Sequence, residues 1–206
     1  MSSRYDYGLS RPTEGPSYWA LENIPCNSRV LEFGCANGRL TKYLQEEKNC
    51  QVDIVELDKE AGKCAKAFAK TALLGPFWGD INRMIWYRLL GKRRYDAIVF
   101  LDVLEHLPDP KNILKKASEL LEEDGTVYLS VPNIAHNGVL IGLFRDEFQY
   151  HDTGLLDNTH IHFFTKNTLD EMVRDVGLCA IKRESLCFLP ESLNLDAHYD
   201  QISQDL

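Results

Sequence analysis

The sequence lacks an excess of positive charge and a long apolar run, and its first residues are polar. Its 206 residues contain 23 Lys and Arg against 31 Asp and Glu, a formal net charge of −8, whereas an extended nucleic-acid surface requires a basic face. No stretch approaches the ~20 apolar residues of a membrane span, and the polar N-terminus has no apolar h-region. We therefore expect a cytoplasmic protein that binds neither nucleic acid nor a membrane.

Closely spaced cysteine pairs are also missing, which excludes the usual zinc and redox motifs. A chain of this length does not need a disulfide framework, so buried cytosolic thiols are the expected state of its six cysteines. The apolar fraction of 44% and the charged fraction of 26% are ordinary for a globular protein. We predict one domain over residues 1–206 without a bound metal. The cysteines are Cys26, Cys35, Cys50, Cys64, Cys179 and Cys187.

The rest of the chain is organised around a glycine turn at residues 34–38. Arg29–Phe33 is a short run that ends in apolar residues, Gly34 and Gly38 bracket the turn, and helical character begins at Leu40. Glycine brings bare backbone close to a ligand, and the helix that follows offers unpaired N–H groups. A dinucleotide fingerprint would need glycines where Ala36 and Arg39 stand. This disfavours a nicotinamide or flavin site.

A carboxylate follows at the spacing that nucleotide-binding α/β domains use for a ribose. Glu56 ends a predicted strand over residues 51–56 and lies 22 residues after Gly34, close to the usual offset of ~20. A carboxylate accepts both hydroxyl protons of a diol in charge-assisted hydrogen bonds. Asp58 is the alternative, but we interpret it as the N-cap of a helix over residues 59–70.

The remaining pattern alternates helices and strands, which predicts an α/β fold with a mostly parallel sheet. Residues 95–102 form the most apolar strand, as expected for the sheet centre. The other expected elements are a helix over residues 17–23 capped by Ser17, a third strand over 73–78, a helix over 111–121 begun by Pro110 and capped by Asp109, a fifth strand over 126–131, one or two helical turns over 138–144, a helix from the Thr165 cap to Val176, and a sixth strand over 178–188.

Three sequence segments resemble known enzymes. "EFGCANG" at residues 32–38 resembles the class I S-adenosylmethionine-dependent methyltransferase signature, an acid and one apolar residue before G-x-G-x-G, and departs from it at Ala36. "DVLEHLPDP" at residues 102–110 resembles the corresponding loop of the subgroup that includes ubiquinone-biosynthesis enzymes. "GLLDNTHIHFFT" at residues 154–165 is similar to a segment in methyltransferases of saccharide biosynthesis.

The resemblance implies a Rossmann-like doubly wound sheet of order 3-2-1-4-5, with the sixth strand at the edge. The usual seventh strand is doubtful, because residues 190–206 are polar; either the chain is truncated or the sheet is incomplete. The implied cofactor is S-adenosyl-L-methionine, with its adenine at Asp80 and the backbone of Ile81. The full predicted set for the cofactor is Glu32, Gly34, Cys35, Ala36, Gly38, Glu56, Leu57, Asp80, Ile81 and Asp102.

Methyl transfer from a sulfonium is an in-line displacement, so the protein must align the two reactants and remove the acceptor's proton. Histidine titrates near neutral pH, and we predict His106 and His160 as candidate bases, with Glu105 and Asp157 ranked behind them.

We interpret residues 133–164 as a substrate-covering insertion, because the segment is too long and too apolar for a plain loop. The N-terminal residues 1–23 form either a lid or a docked helix. The expected acceptor is a small molecule with a hydroxyl or amine, such as a sugar or sugar nucleotide.

Three other functions remain open. Asp102, Glu105 and His106 could share a Mn²⁺ or Fe²⁺ ion with His160 or His162, as in the RNA 2′-O-methyltransferases that this spacing resembles. The negative net charge argues against RNA, and D-V-L-E-H is also found in metal-free relatives. A non-catalytic cofactor-binding module would lack an organised acceptor site, and a dehydrogenase would need the missing glycines. We therefore expect an enzyme of the methyltransferase class.

Overall fold

The computed structural model describes residues 8–186. Within them, strands and helices alternate along the chain, as the sequence pattern predicts. The strands are β1 (Arg29–Phe33), β2 (Gln51–Glu56), β3 (Thr71–Leu74), β4 (Tyr95–Leu101) and β5 (Leu121–Ser130). The helices are α1 (Gly15–Asn23), α2 (Arg39–Glu46), α3 (Lys59–Ala65), α4 (Gly75–Trp78), α5 (Ile85–Leu90), α6 (Pro110–Ser118), α7 (Asn137–Phe144) and α8 (Lys166–Asp175).

The strands form one parallel sheet of order β3-β2-β1-β4-β5, which confirms the predicted Rossmann-like order. Both faces of the sheet are covered, so its central strands are apolar at consecutive positions. Leu31 and Phe33 face a core shared with α5, α6 and α8, while Val30 faces a core shared with α1 and α2. Phe33 of β1 stacks on Phe100 of β4 with ring centroids 4.5 Å apart. This packing places the carboxyl ends of β1 and β4 side by side.

Three helices start at the capping residues that the sequence predicts, whereas Ser17 does not cap the first helix. The carboxylate of Asp58 accepts hydrogen bonds from the backbone N–H groups of Glu60 and Ala61 at the start of α3. Asp109 caps α6 and Thr165 caps α8 in the same way. Each cap satisfies N–H groups that have no partner inside the helix. Asp58 is therefore the N-cap of this helix, as the sequence predicts.

Several element bounds differ from the prediction. β3 ends at Leu74, because Gly75 has a φ of +82° and Pro76 has no N–H to pair, and residues 75–78 form the short helix α4 instead. α3 ends at Ala65, five residues early, and the chain continues in single turns. α1 begins at Gly15 rather than after Ser17, since Pro16 is tolerated in a first helical turn.

The sixth-strand prediction is wrong for the part of it that the structure describes. Residues 178–186 pair with no strand, and the side chains of Ile181 and Leu186 are 77% and 40% exposed. The segment is attached by side chains instead, since Lys182 contacts Asn23 and Arg183 contacts Asp170. The alternating pattern failed because only Leu178, at its start, packs against the core, while residues 179–186 are exposed. Cys187, the end of that predicted strand and the polar stretch 190–206 lie outside the described residues, as do residues 1–7 of the predicted lid.

The basic run Lys92-Arg93-Arg94 is partly used within the fold. Arg93 bonds to the buried carboxylate of Asp53 on β2 and to the hydroxyl of Thr71, while the hydroxyl of Tyr95 donates to the same carboxylate at 2.8 Å. Asp53 is only 4% exposed, so this pairing offsets the desolvation of its charge. Arg93 therefore holds this loop against the amino-terminal edge of the sheet.

Among residues 8–186, no helix has the length and apolar character needed to cross a bilayer.

Candidate active site

The glycine turn connects β1 to α2 at the carboxyl edge of the sheet. Gly34 and Gly38 have φ angles of +70° and +85°, in the left-handed region that favours glycine. A Cβ at Gly34 would lie 2.5 Å from Val103 Cγ2, and a Cβ at Gly38 would lie 2.4 Å from the Cα of Ala65. The protein's own packing thus requires both glycines. Ala36 also has a positive φ, +48°, at the position where the family signature has a glycine.

Glu56 holds this turn against the end of β2. Its Oε2 accepts the backbone N–H of Ala36 at 2.7 Å, and its Oε1 accepts the N–H of Asp58 at 2.7 Å. Burial raises the pKa of the carboxyl, and the two N–H donors oppose that rise. A carboxylate oxygen has more than one acceptor site, so each oxygen can still accept a hydroxyl. The side chain of the next residue, Leu57, is 56% exposed.

Glu32 faces the protein interior. Its Oε2 accepts a hydrogen bond from the hydroxyl of Thr41 on α2 at 2.7 Å, and the residue is 4% exposed. Burial raises the pKa of Glu32 to about 7, and the nearby charge of Glu56 adds to the shift. The thiol of Cys35 is buried beside these acids, and burial raises its pKa as well. Of the two roles open to Glu32, holding the turn or contacting a ligand, its geometry favours holding the turn.

Asp80 and Ile81 lie next to the end of β2. A Cβ at Gly79 would lie 1.9 Å from the carbonyl oxygen of Glu56, so this glycine allows the chain to pass directly over the strand end. The Asp80 carboxylate accepts hydrogen bonds from the backbone N–H and the side-chain amide of Asn82. Asp80 thereby caps a short 3-10 turn over Ile81–Arg83. Ile81 is 8% exposed. The adenine position at Asp80 and Ile81 stays a prediction.

The loop after β4 lies against the glycine turn through the contact between Val103 and Gly34. Asp102 begins this loop with a φ of +54°, a conformation that costs energy outside glycine. Its carboxylate accepts from the hydroxyl of Ser130 on β5 at 2.7 Å, and its backbone N–H donates back to Ser130. Loss of solvation raises the pKa of Asp102. Ser130, which the sequence analysis did not single out, thus fixes the first residue of the loop.

Glu105 and His160 form a buried pair beneath this loop. Glu105 is 1% exposed, and neither carboxyl oxygen has a hydrogen-bond partner within residues 8–186. Burial raises its pKa to about 9, so the metal-free acid is neutral at pH 7. His160 Nε2 lies 4.0 Å from Glu105 Oε1, while His160 Nδ1 bonds to the carbonyl of Leu155 at 3.1 Å. Burial lowers the pKa of His160. Both groups are therefore uncharged at neutral pH.

His106 lies beside this pair, with its ring centroid 4.8 Å from that of His160. Its Nδ1 is 3.2 Å from the carbonyl oxygen of Thr159 and 3.1 Å from the Thr159 hydroxyl. That hydroxyl donates to Asp157 Oδ1 at 2.7 Å. The insertion thus approaches the loop after β4 closely, and the backbone N–H groups of Ile161 and His162 both bond to the carbonyl of Glu105.

The structure brings together two groups of predicted residues. Those for the cofactor lie along the carboxyl ends of β1, β2 and β4, and the catalytic candidates lie where the loop after β4 meets the insertion. Two other histidines of the insertion are used elsewhere: His162 bonds to the carbonyl of Pro108, and His136 caps α7. Sequence reasoning missed Thr41, Ser130 and Thr159. The spacing Asp157-x-Thr159, which suits a side-chain turn, was the available signal for the last of them.

Fold and site together define a class I S-adenosylmethionine-dependent methyltransferase domain. The chain belongs to the methyltransferase-domain family, whose model, described as a methyltransferase domain, matches residues 13–182. Among curated proteins, the ubiquinone biosynthesis O-methyltransferase of Hydrogenovibrio crunogenus is 24% identical over 178 residues, covering 82% of this chain and 66% of the relative. The chain therefore spans just under two thirds of that relative's length.

Solved structures confirm the fold. The methyltransferase in complex with the Trm112 activator from Haloferax volcanii superposes with a TM-score of 0.62 at 16% identity, covering 92% of this chain and 78% of that one. The plantazolicin methyltransferase BpumL, in complex with S-adenosylhomocysteine (SAH), has a TM-score of 0.55 at 18% identity, covering 79% and 60%. At these identities the likeness establishes the architecture of the sheet and its helices.

Proposed function

We propose that this protein transfers the methyl group of S-adenosylmethionine to a hydroxyl or amine of a small molecule. The observation that carries the proposal is the contact between the two halves of the site. The glycine turn with Glu56, which suits the cofactor, lies directly against the loop that carries His106. A donor site and a base are thus adjacent at the carboxyl edge of a parallel sheet, where such folds bind ligands.

The residues present fit S-adenosylmethionine. Glu56 offers acceptors for a ribose diol, and the exposed apolar side chain of Leu57 lies beside it, followed along the sheet edge by Asp80. When bound, the cofactor supplies a methyl group on a positively charged sulfur. The protein aligns the acceptor and removes its proton, and His106 and His160 are the proposed bases. Asp102 and the backbone of residues 34–38 complete the cofactor-binding surface.

The acceptor is proposed to be a sugar or sugar nucleotide. The support is the sequence of residues 154–165, which resembles methyltransferases of saccharide biosynthesis and carries His160 into the site. We propose that residues 133–164 cover the acceptor, because their bonds to the carbonyl of Glu105 hold this segment over the loop after β4. The net charge of −8 argues against a nucleic-acid acceptor. We place the reaction in the cytoplasm.

Calorimetry of the full chain with SAH, S-adenosylmethionine and NAD tests the cofactor part of this proposal. We expect SAH and S-adenosylmethionine to bind and NAD not to bind, because the turn lacks the dinucleotide glycines. A screen of monosaccharides, nucleoside diphosphate sugars and small phenols with methyl-labelled cofactor then identifies the acceptor class. Absence of binding by both sulfur compounds would contradict the proposal. Binding without turnover on any acceptor would favour a non-catalytic module.

A metal-assisted reaction is a second candidate, favoured by one specific observation. Glu105, His106 and His160 each offer a ligand atom within 4.8 Å of the others. Glu105 has no hydrogen-bond partner among the described residues, and both imidazoles bond through Nδ1 to carbonyl oxygens, as metal-bound histidines commonly do. Mixed oxygen and nitrogen ligands suit Mn²⁺ or Fe²⁺. Such an ion would promote loss of the acceptor's proton by acting as a Lewis acid.

Removal of metal separates the two candidates. Because the metal-free reaction is the first candidate, we expect turnover to survive dialysis against EDTA. We also expect calorimetry to show no Mn²⁺ binding that depends on Glu105, so wild type and Glu105→Gln should give the same heat with Mn²⁺. Asp109→Asn is the matched control, since Asp109 lies on the same loop but caps α6. Loss of turnover on dialysis, restored by Mn²⁺, would establish the metal-assisted reaction instead.

A further inference from the structure

His106 and His160 are neighbouring histidines with different surroundings. His160 is 9% exposed, and its Nε2 faces the buried acid Glu105 at 4.0 Å. His106 is only half-buried and lies in the loop that contacts the glycine turn. An acceptor molecule can therefore reach the imidazole of His106 more directly than that of His160. What remains to be fixed is which nitrogen of His106 is available to it.

Thr159 decides this, because its hydroxyl has a single hydrogen. That hydrogen is donated to Asp157 Oδ1 at 2.7 Å, so toward His106 the hydroxyl oxygen is an acceptor. The carbonyl oxygen of Thr159, 3.2 Å from His106 Nδ1, is an acceptor as well. Nδ1 of the neutral imidazole must therefore carry the hydrogen, and Nε2 keeps its lone pair.

Asp157 keeps the threonine in this orientation. It is 2% exposed, and its Oδ1 accepts both the Thr159 hydroxyl and the Thr159 backbone N–H, the latter at 2.8 Å. A buried carboxylate that accepts from both groups fixes the direction of the hydroxyl hydrogen. The other charged or titratable groups near His106 are Asp102, Glu105 and His160. The tautomer is therefore set from the insertion and not from the loop that carries His106.

We propose that Thr159, held by Asp157, is a positioning residue that fixes His106 as the Nδ1–H tautomer, so that Nε2 is the base for an acceptor hydroxyl. This inference rests on the proposed methyl transfer. As the acceptor oxygen forms its bond to the methyl carbon and the carbon–sulfur bond breaks, the hydroxyl proton passes to Nε2. The resulting imidazolium then releases a proton to water. Atoms and charge balance with SAH as the neutral product.

Nitrogen NMR of the full chain with ¹⁵N-labelled histidine tests the tautomer directly. The two neutral tautomers differ in their ring-nitrogen shifts, and loss of signals in His106→Gln assigns the residue. At a pH where the imidazole signals no longer change, we expect wild-type His106 to carry its hydrogen on Nδ1. In Thr159→Val the hydrogen bond from His106 Nδ1 to the backbone carbonyl of residue 159 remains. The Nε2–H population should therefore rise about threefold without becoming the whole population. Thr159→Ser keeps the hydroxyl and should match wild type.

A hydrogen on Nε2 in wild-type His106 would overturn the inference, and so would a Thr159→Val spectrum identical to wild type. With the acceptor found by the screen, Thr159→Val should lower turnover in proportion to the Nδ1–H population that it loses, while the Kd for SAH changes less than about twofold. Thr159→Ser should restore turnover. Turnover lost without a change of tautomer would also overturn it. The tautomer is measured without cofactor or acceptor, so failure of SAH to bind contradicts only the proposed function.

Discussion

Replacing Glu56 with alanine is expected to weaken binding of SAH about 100-fold, because the variant loses the two hydrogen bonds that the ribose hydroxyls would donate to the charged carboxylate. The variant also leaves the N–H groups of Ala36 and Asp58 without their acceptor. Glu56→Gln has nearly the same shape but no charge, and its amide group can accept at only one atom. We expect it to lose most of the same affinity. Calorimetry at pH 8, with thermal unfolding as a check on folding, measures both variants.

Asp58→Asn is the matched control for this prediction. Asp58 is the other carboxylate at the end of β2, but it caps α3 through Oδ1, a role that asparagine also fills well. Its replacement should leave SAH affinity within about twofold, because no bond to the ribose is removed. If Asp58→Asn weakened binding and Glu56→Gln did not, the ribose would be assigned to Asp58. Unchanged affinity in both would contradict the site at this strand end.

The pH dependence of binding follows from the same carboxylate. Burial raises the pKa of Glu56 above its ordinary value, so protonation begins at a higher pH than for an exposed glutamate. The protonated acid accepts fewer hydrogen bonds from the diol. SAH affinity should therefore fall as the pH is lowered through this raised pKa.

Local chemistry made much of the fold predictable. β1 and β2 have the predicted bounds, and Asp58, Asp109 and Thr165 cap the helices assigned to them. Each of these signals lies within a few residues of the feature that it determines. The glycine turn was predictable for the same reason, since positive φ angles are concentrated at glycine.

The parts that could not be predicted depend on contacts between distant residues. Thr159 meets His106 across 53 positions of sequence, so nothing local to either residue indicates the bond. The segment 178–186 alternates like a strand, but whether it pairs depends on the exposed edge of the sheet and not on its own pattern. The sequence likewise places Glu32 at the end of β1 but does not indicate Thr41 as its partner.

Glu32→Gln is expected to stabilise the protein at pH 8 by up to about 3 kcal/mol. Burial raises the pKa of Glu32 from its ordinary value of 4.5 to about 7. Between these values the folded chain binds more protons than the unfolded chain, so wild-type stability falls as the pH rises through this window. Glutamine has no proton to lose and can still accept from Thr41. The stability gap between variant and wild type should therefore grow from pH 5 to pH 8 and then level off.

Chemical denaturation across this pH range measures the gap, and Glu46→Gln, an exposed glutamate on α2, should show a gap that does not change with pH. A pH-independent gap for Glu32→Gln would mean that its carboxyl is solvated in the folded protein. The same variant separates the two roles of Glu32. If the acid only ties α2 to β1 through Thr41, SAH affinity stays within about threefold, whereas a charged contact with the amino group of the ligand would cost about tenfold or more. The buried bond to Thr41 leads us to expect the first result.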